Sequence, residues 1–278
     1  MVKKPGEVGK DFDDYARKWA ADSYKMEKAW DGSGVAHSDE ALAYPGDEWG
    51  GIDDLIALYA NLFPKILPGS DKVSVLEIGA GGGRSTRAVV EVLGDRIDEY
   101  HVVDVSQIFV NVLRERIEQP IEVHLVDDVD LGGLPKNGFQ LCLAQSSWSH
   151  INMYDQYRYL RDLRAVLTFG APLVVNGQFL LGLGNDWAWN RFRRRVYQAE
   201  HHVEGVFHEM TGVGVIVEQL VRLEYDIELI HDAGFIARRR QANPLSHLAS
   251  LTAQIEFPYL PGLPQYAAGQ TPRKVTIG

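Results

Sequence analysis

This 278-residue sequence predicts an α/β fold, with a doubly wound, seven-stranded, mostly parallel sheet and helices on both faces. Three observations carry that expectation. From Val73 to Phe257, short β-rich apolar runs alternate with helical stretches, the rhythm of βαβ units. Most of these runs are almost continuously apolar, as strands covered on both sides must be. The first run, VSVLEI, also passes through GAGGG straight into a helical stretch. Glycines there let the backbone take positive φ and approach a ligand, and the helix start adds N–H groups in need of partners.

The elements follow in chain order. Phe12, Tyr15 and Trp19 recur at i, i+3 and i+7, which puts one aromatic stripe on a helix. Tyr44–Gly51 reads as a turn, followed by a helix from Ile52 to Phe63 that Pro64 stops. Strands are predicted at Val73–Ile78, Tyr100–Asp104, Ile121–Val126, Phe139–Ala144 and Pro172–Gln178. Between them lie helices at Ser85–Leu93, Ser106–Glu118 and Tyr154–Leu167. After the fifth strand the rhythm breaks. Gly182–Asn185 is a turn, Trp187–His208 a long helix rich in aromatics, arginines and histidines, and Thr211–Gly214 a hinge. Glu218–Ala233 resumes helical character and ends at Gly234 as a left-handed cap. Phe235–Arg240 and Leu251–Phe257 complete the set of strands. The organisation expected is an N-terminal helical lid or extension over 1–70, a ligand-binding domain over 71–257, and an irregular tail over 258–278. Within the domain, 182–214 forms a substrate-facing insertion.

Composition excludes several classes of function. A net charge of −10 argues against a nucleic-acid partner, because phosphate binding needs a basic footprint. The basic clusters Arg191, Arg193–Arg195 and Arg238–Arg240 read as solvated element ends, the first alternatively as an attractor of an anionic substrate group. No apolar run approaches a membrane span, and MVKKPGEVGKDFDDYARKW has no apolar signal core. The single cysteine, Cys142, sits in an apolar run and reads as a buried small hydrophobe. Together these lead to the expectation of a cytoplasmic enzyme with no nucleic-acid or membrane partner. A homo-oligomer is compatible with the aromatic N-terminal helix.

The spacing within VSVLEIGAGGGRS narrows the ligand. A dinucleotide fingerprint counted from Gly79 places its third glycine at 84, where this chain has Arg84. Glu77 sits badly beside a diphosphate but suits a cationic ligand with an amino group. With Gly79, Gly81 and Gly83 it forms E-x-G-x-G-x-G, which resembles motif I of the class I S-adenosylmethionine (SAM)-dependent methyltransferases. The resemblance covers roughly residues 55–257 and implies a Rossmann-like fold and SAM as cofactor. A nicotinamide dehydrogenase is thereby disfavoured.

Three further landmarks follow in order. The second strand ends VVDVS, with Asp104 placed 21 residues beyond Gly83, where an acid accepts bonds from the vicinal ribose hydroxyls. After the third strand, HLVDDVDLGGLP resembles the stretch whose acid reads the adenine amino group while the next residue offers a backbone N–H. Asp128 with Val129 takes that role, with Asp127 as the fallback. FQLCLAQSSWSHI resembles the segment holding the methionine end, with Gln145 and Ser146 at the strand's carboxyl end. Metal-dependent relatives carry an aspartate there, but residues 144–149 hold no acid, so no catalytic metal is expected. RAVLTFGAPL, from Arg164, resembles R-x-x-L-x-P-G-G-x-L, with Phe169 and Ala171 in place of the proline and second glycine. This affects only a loop.

Methyl transfer is an in-line displacement, so positioning supplies much of the rate and a hydroxyl acceptor needs a modest base. His150, after the fourth strand, is one candidate base. His201, Glu204 and His208 share one face of the 187–208 helix at i, i+3 and i+7, and His202 points elsewhere. Glu204 can orient either imidazole as a general base; the same set also suits a metal, or a solvated face. His208 is placed ahead of His150. Trp148, Trp187, Trp189 and Phe192 are candidates to line an apolar acceptor pocket. The activity expected is transfer of a methyl group to a small-molecule hydroxyl. A SAM-binding protein with a non-methyltransferase or non-catalytic role is the alternative.

Overall fold

The computed structural model describes residues 7–20, 52–67, 69, 71–177, 179–180, 211–231 and 234–240. Two helices precede the sheet, α1 (Glu7–Ala20) and α2 (Ile52–Ile66). β1 (Val73–Ile78), α3 (Arg84–Leu93), β2 (Ile97–Asp104), α4 (Gln107–Arg116) and β3 (Glu122–Leu125) build one half. β4 (Leu141–Gln145), α5 (Met153–Val166) and β5 (Pro172–Asn176) begin the other. Two-residue strands β6 (Phe179–Leu180) and β7 (Thr211–Gly212) pair in parallel, and α6 (Val213–Arg222), β8 (Tyr225–His231) and β9 (Gly234–Arg239) finish the described chain.

The seven-stranded sheet runs β3-β2-β1-β4-β5-β9-β8. β1 to β5 are parallel, and β9 is antiparallel to both β5 and β8. Successive residues of the central strands feed opposite layers, as a period of two demands. Leu76, Cys142, Ala144, Leu173, Val175 and Phe235 pack with α5 and α6. Val75, Leu141, Leu143, Val174 and Ile236 pack with α2, α3 and α4 on the other face. That double cover explains the unbroken apolar runs. Cys142 is fully buried, and burial pushes its thiol well above the usual range, away from reactivity.

The structure departs from expectation in several places. Pro64 does not end the second helix, which runs to Ile66; in the last turn the proline costs only one main-chain bond, and Leu67 N still reaches Phe63 O at 2.8 Å. Leu55, Tyr59, Leu62, Phe63 and Ile66 of α2 are buried under the sheet, so a boundary at residue 70 cuts through shared core and α2 is no lid. The helix expected over 218–233 stops at Arg222. Glu224 takes φ 56°, which reverses the chain, and the alternating DIELIH continues as β8. β8 supplies the seventh strand. The strand expected at 251–257 lies outside the described residues, as do the 187–208 helix and the tail.

Thr211–Gly214 is not a hinge: Thr211 is buried, bonds Gln156 Oε1 at 3.0 Å and pairs through β7 with β6. Arg238–Arg240 are not merely solvated. Arg238 donates to Ile66 O at 3.0 Å and Gly170 O at 2.8 Å and pairs with Glu228; Arg240 pairs with Asp226 at 2.7 Å. These ties join α2, β8 and the loop before β5. Among the described residues no helix is long and apolar enough to cross a membrane.

Gly234 opens β9 rather than capping a helix. A Cβ there would lie 2.2 Å from Val175 O, backbone that cannot yield cheaply. Gly234→Val is therefore expected to destabilise the fold by about 3 kcal/mol or more. Urea denaturation with an unchanged midpoint would contradict this packing.

Candidate active site

The order of the sheet reverses between β1 and β4, and the crevice outside the carboxyl ends of such strands is where open α/β sheets bind ligands. The glycine turn and the loop after β4 meet there. Gly79 N donates to Val103 O at 2.7 Å and Ser147 Oγ to Ile78 O at 2.6 Å. A Cβ on Gly79 would stand 2.5 Å from Ser147 Cβ. Only glycine lets the two loops touch. Gly81 differs: its φ is +55° and a Cβ would meet nothing within 4 Å, so this glycine faces open space. Gly83 caps α3 at φ +82°, and a Cβ there would press Leu113 Cδ1 at 2.7 Å. Its demand is therefore packing against α4.

Glu77 is wholly buried. Its Oε2 accepts from Thr86 Oγ1 and Tyr100 OH, both at 2.7 Å, while Oε1 has no partner. Burial raises its pKa against the opposing pull of those two hydrogen bonds. An unpartnered buried carboxylate oxygen is costly and marks a place where a donor is missing.

Asp104, at the end of β2, is buried too. Oδ1 accepts from Val105 N at 2.7 Å and Ser106 N at 2.9 Å, and Oδ2 from Gly81 N at 3.0 Å. Burial raises its pKa, opposed by those N–H donors. The carboxylate thus ties the glycine turn to β2 and keeps part of its acceptor capacity on Oδ2.

Asp128 is gripped by Arg158 of α5, whose Nη1 and Nη2 reach Oδ1 at 2.8 Å and Oδ2 at 2.9 Å. Val129 N turns back onto Asp128 Oδ1 at 2.7 Å. The guanidinium holds the carboxyl below its usual range, so it stays an ionised acceptor at neutral pH. The stability this pair contributes is present above the ordinary carboxylate pKa and lost only as pH falls through the lower folded value. Asp127 is exposed and makes no hydrogen bond among the described residues.

At the end of β4, Gln145 Oε1 accepts from Tyr59 OH at 3.3 Å, and the same hydroxyl lies 3.1 Å from Ser85 Oγ. Ser146 takes φ 61°, a strained state for serine, held by Ser146 N on Asn176 O at 3.1 Å and Ser149 Oγ on Ser146 O at 2.9 Å. Trp148 is fully buried against Tyr159 and Phe235, so it is core rather than pocket lining. His150 follows in the short 3₁₀ turn Trp148–His150 and meets the ring of Phe12 edge-on, centroids 5.3 Å apart.

That contact brings α1 to the site. Asp13 accepts from Ile108 N at 3.1 Å and from Ser106 Oγ, and a Cβ on Gly9 would lie 2.2 Å from Val105 O. The helix is therefore locked against the loop after β2. His201, His202, Glu204 and His208, with Trp187, Trp189 and Phe192, lie outside the described residues. Tyr59, Thr86, Tyr100 and Arg158 are site residues that pattern reading missed. Only Thr86 carried a local signal, in the first helical turn after the glycines.

Comparison with known proteins agrees with this architecture. Residues 75–170 match the family described as methyltransferase domain. A segment of 129 residues is 26% identical to the hybrid PKS-NRPS synthetase apdA of Emericella nidulans, covering 41% of this chain and 3% of that protein. The chain thus spans a small fraction of that relative's length. In fold it is similar to an S-adenosylmethionine-dependent methyltransferase from Mesorhizobium loti, 18% identical, covering 68% of this chain and 100% of that one, with a TM-score of 0.50. It is also similar to the carbon methyltransferase CurJ, 14% identical, covering 87% of this chain and 72% of the other, with a TM-score of 0.51. Residues 75–170 thus match a methyltransferase-domain family, and the fold is similar to that of SAM-dependent methyltransferases.

Proposed function

We propose that the protein moves a methyl group from SAM to a hydroxyl of a small-molecule acceptor. The observation that carries the reading is the acid-free loop after β4, QSSWSH, which places Gln145, Ser146 and His150 at the switch point with α1 beside it. The residues present suit SAM. Gly81 leaves room for close approach, Asp104 Oδ2 retains acceptor capacity for the ribose, and Asp128, held ionised by Arg158, accepts from the adenine amino group beside Val129. Glu77 Oε1 is the orphan acceptor beneath the turn. Glu77, Gly79 and Gly83 shape that turn, and Gln145 and Ser146 border the methionine end.

When bound, SAM supplies an activated methyl on a sulfonium. The chain's own part is to orient the acceptor, exclude water and take up one proton. His208 is the first candidate base, with Glu204 one turn earlier to orient its ring, and His150 the second. α1 covers the acceptor side. A cytoplasmic setting accompanies this reading, with no nucleic-acid or membrane partner.

A second reading is favoured by the two resemblances above, to a carbon methyltransferase and to part of a polyketide–peptide synthetase: the nucleophile is an activated carbon. Both need the same proton removal. Incubation with methyl-labelled SAM and parallel panels of hydroxylated and β-ketothioester acceptors separates them, because the label appears as O-methyl or as C-methyl. Product from the second panel alone overturns the hydroxyl reading.

Because residues 144–149 carry no acid, turnover is expected to survive EDTA at unchanged rate. Loss of activity on chelation, restored by Mg²⁺, would show that a catalytic metal is held elsewhere. Restoration by iron instead would point to His201, Glu204 and His208.

A further inference from the structure

We infer that the β2–β3 edge carries a site for a divalent transition-metal ion of the zinc type, built by His101, Glu122 and His124. The sheet register assembles it. His101 pairs with Glu122 and Val103 with His124, so residues 101, 122 and 124 share one face. His101 Nδ1 lies 3.0 Å from His124 Nε2, and the Glu122 carboxylate is 3.5 Å from His124 Nε2 and 3.7 Å from His101 Nε2. One ligand atom from each of the three lies within 4.8 Å of the others. Tetrahedral ligands at about 2.0–2.2 Å from zinc stand roughly 3.3–3.5 Å apart, so the imidazole pair must open by only a few tenths of an ångström.

The surroundings match what such ions require. Two imidazoles and one carboxylate suit zinc and its neighbours rather than magnesium or calcium. Glu99 Oε2 is 3.4 Å from His101 Nε2, placed to receive that N–H and leave Nδ1 as the ligand, the outer contact that orients metal-bound histidines. Phe139 fixes the buried His101 ring, with centroids 5.0 Å apart. His124 is half-buried and Glu122 exposed, so an ion can enter from solvent. At 3.0 Å, one ring N–H lies between His101 Nδ1 and His124 Nε2, and ion uptake needs that position free of its proton.

The site is not the active site. His101 lies three residues before Asp104 and on the opposite face of β2, roughly 10 Å along the strand. The ion would staple a four-residue edge strand to its neighbour.

Titration of the full-length protein with ZnCl₂ in a calorimeter tests this. Wild type is expected to take up one equivalent that both His124→Ala and Glu122→Gln weaken at least tenfold, and Glu99→Gln less so. Zinc should raise the melting temperature of wild type and not of His124→Ala. Should His124→Ala fail to fold, the exposed Glu122→Gln decides alone. Absence of uptake by wild type, or uptake unaffected by Glu122→Gln and His124→Ala, overturns the site.

Discussion

Asp104→Ala is expected to weaken SAM binding by about 2–4 kcal/mol, a factor of roughly 30 to 900, because it deletes the charge-assisted acceptors proposed for the ribose. The structure adds a second cause. The same carboxylate receives the N–H groups of Gly81, Val105 and Ser106, so its loss also frees the glycine turn. Gly81→Val should act at the same place by filling the open space above the turn. Its positive φ also strains the variant, and Gly94→Ala is the control. Gly94, at φ +47° with equally open surroundings, suffers similar strain at the far end of α3. It should lose stability and keep its SAM affinity. Calorimetry giving wild-type affinity for folded Asp104→Ala and Gly81→Val would remove this site assignment. The pH dependence carries a sign. Burial raises the Asp104 pKa, so affinity should fall on acidification while still above the ordinary aspartate value of about 3.9. Folding stability moves the other way for this group, since protonation relieves the cost of burying its charge. Asp104→Asn should bind weakly and lack this pH dependence.

His208→Ala should lower kcat by roughly 10²–10⁴-fold while leaving SAM affinity unchanged, the signature of a lost proton acceptor. His202→Ala, on another face of the same predicted helix, should do little. His150→Ala is the informative comparison. Its ring is held edge-on by Phe12, so removing it also loosens α1, and its effect should divide between KM and kcat. Equal, mild losses at His150, His202 and His208 would mean that positioning alone drives the transfer and that none of the three is the base.

Much of this could be read along the chain because it is local. β1 was predicted at its observed bounds, and the other parallel strands within a few residues; the central strands β1, β4 and β5, covered on both faces, leave an almost unbroken apolar signature, whereas the edge strand β3 does not. The glycine turn and the acid ending β2 were legible because close main-chain approach, and a carboxylate tied to that turn, impose residue types at fixed offsets. Where two periods overlapped, reading failed. EYDIELIH continues a helical stretch in composition, and only the reversal at Glu224, with pairing to β9, makes it a strand. The arginines of β9 looked solvated because their acceptors, Ile66 O and Gly170 O, are carbonyls of distant segments. For the same reason, Tyr59 and Tyr100 carried no signal for their contacts with Gln145 and Glu77, nor Arg158 for Asp128. Sequence alone determined the fold class, the glycine turn after β1 and the acids that lie beside it. The tertiary structure decided which of those acids are held, tied or left with an orphan oxygen, because burial and long-range partners are set by packing.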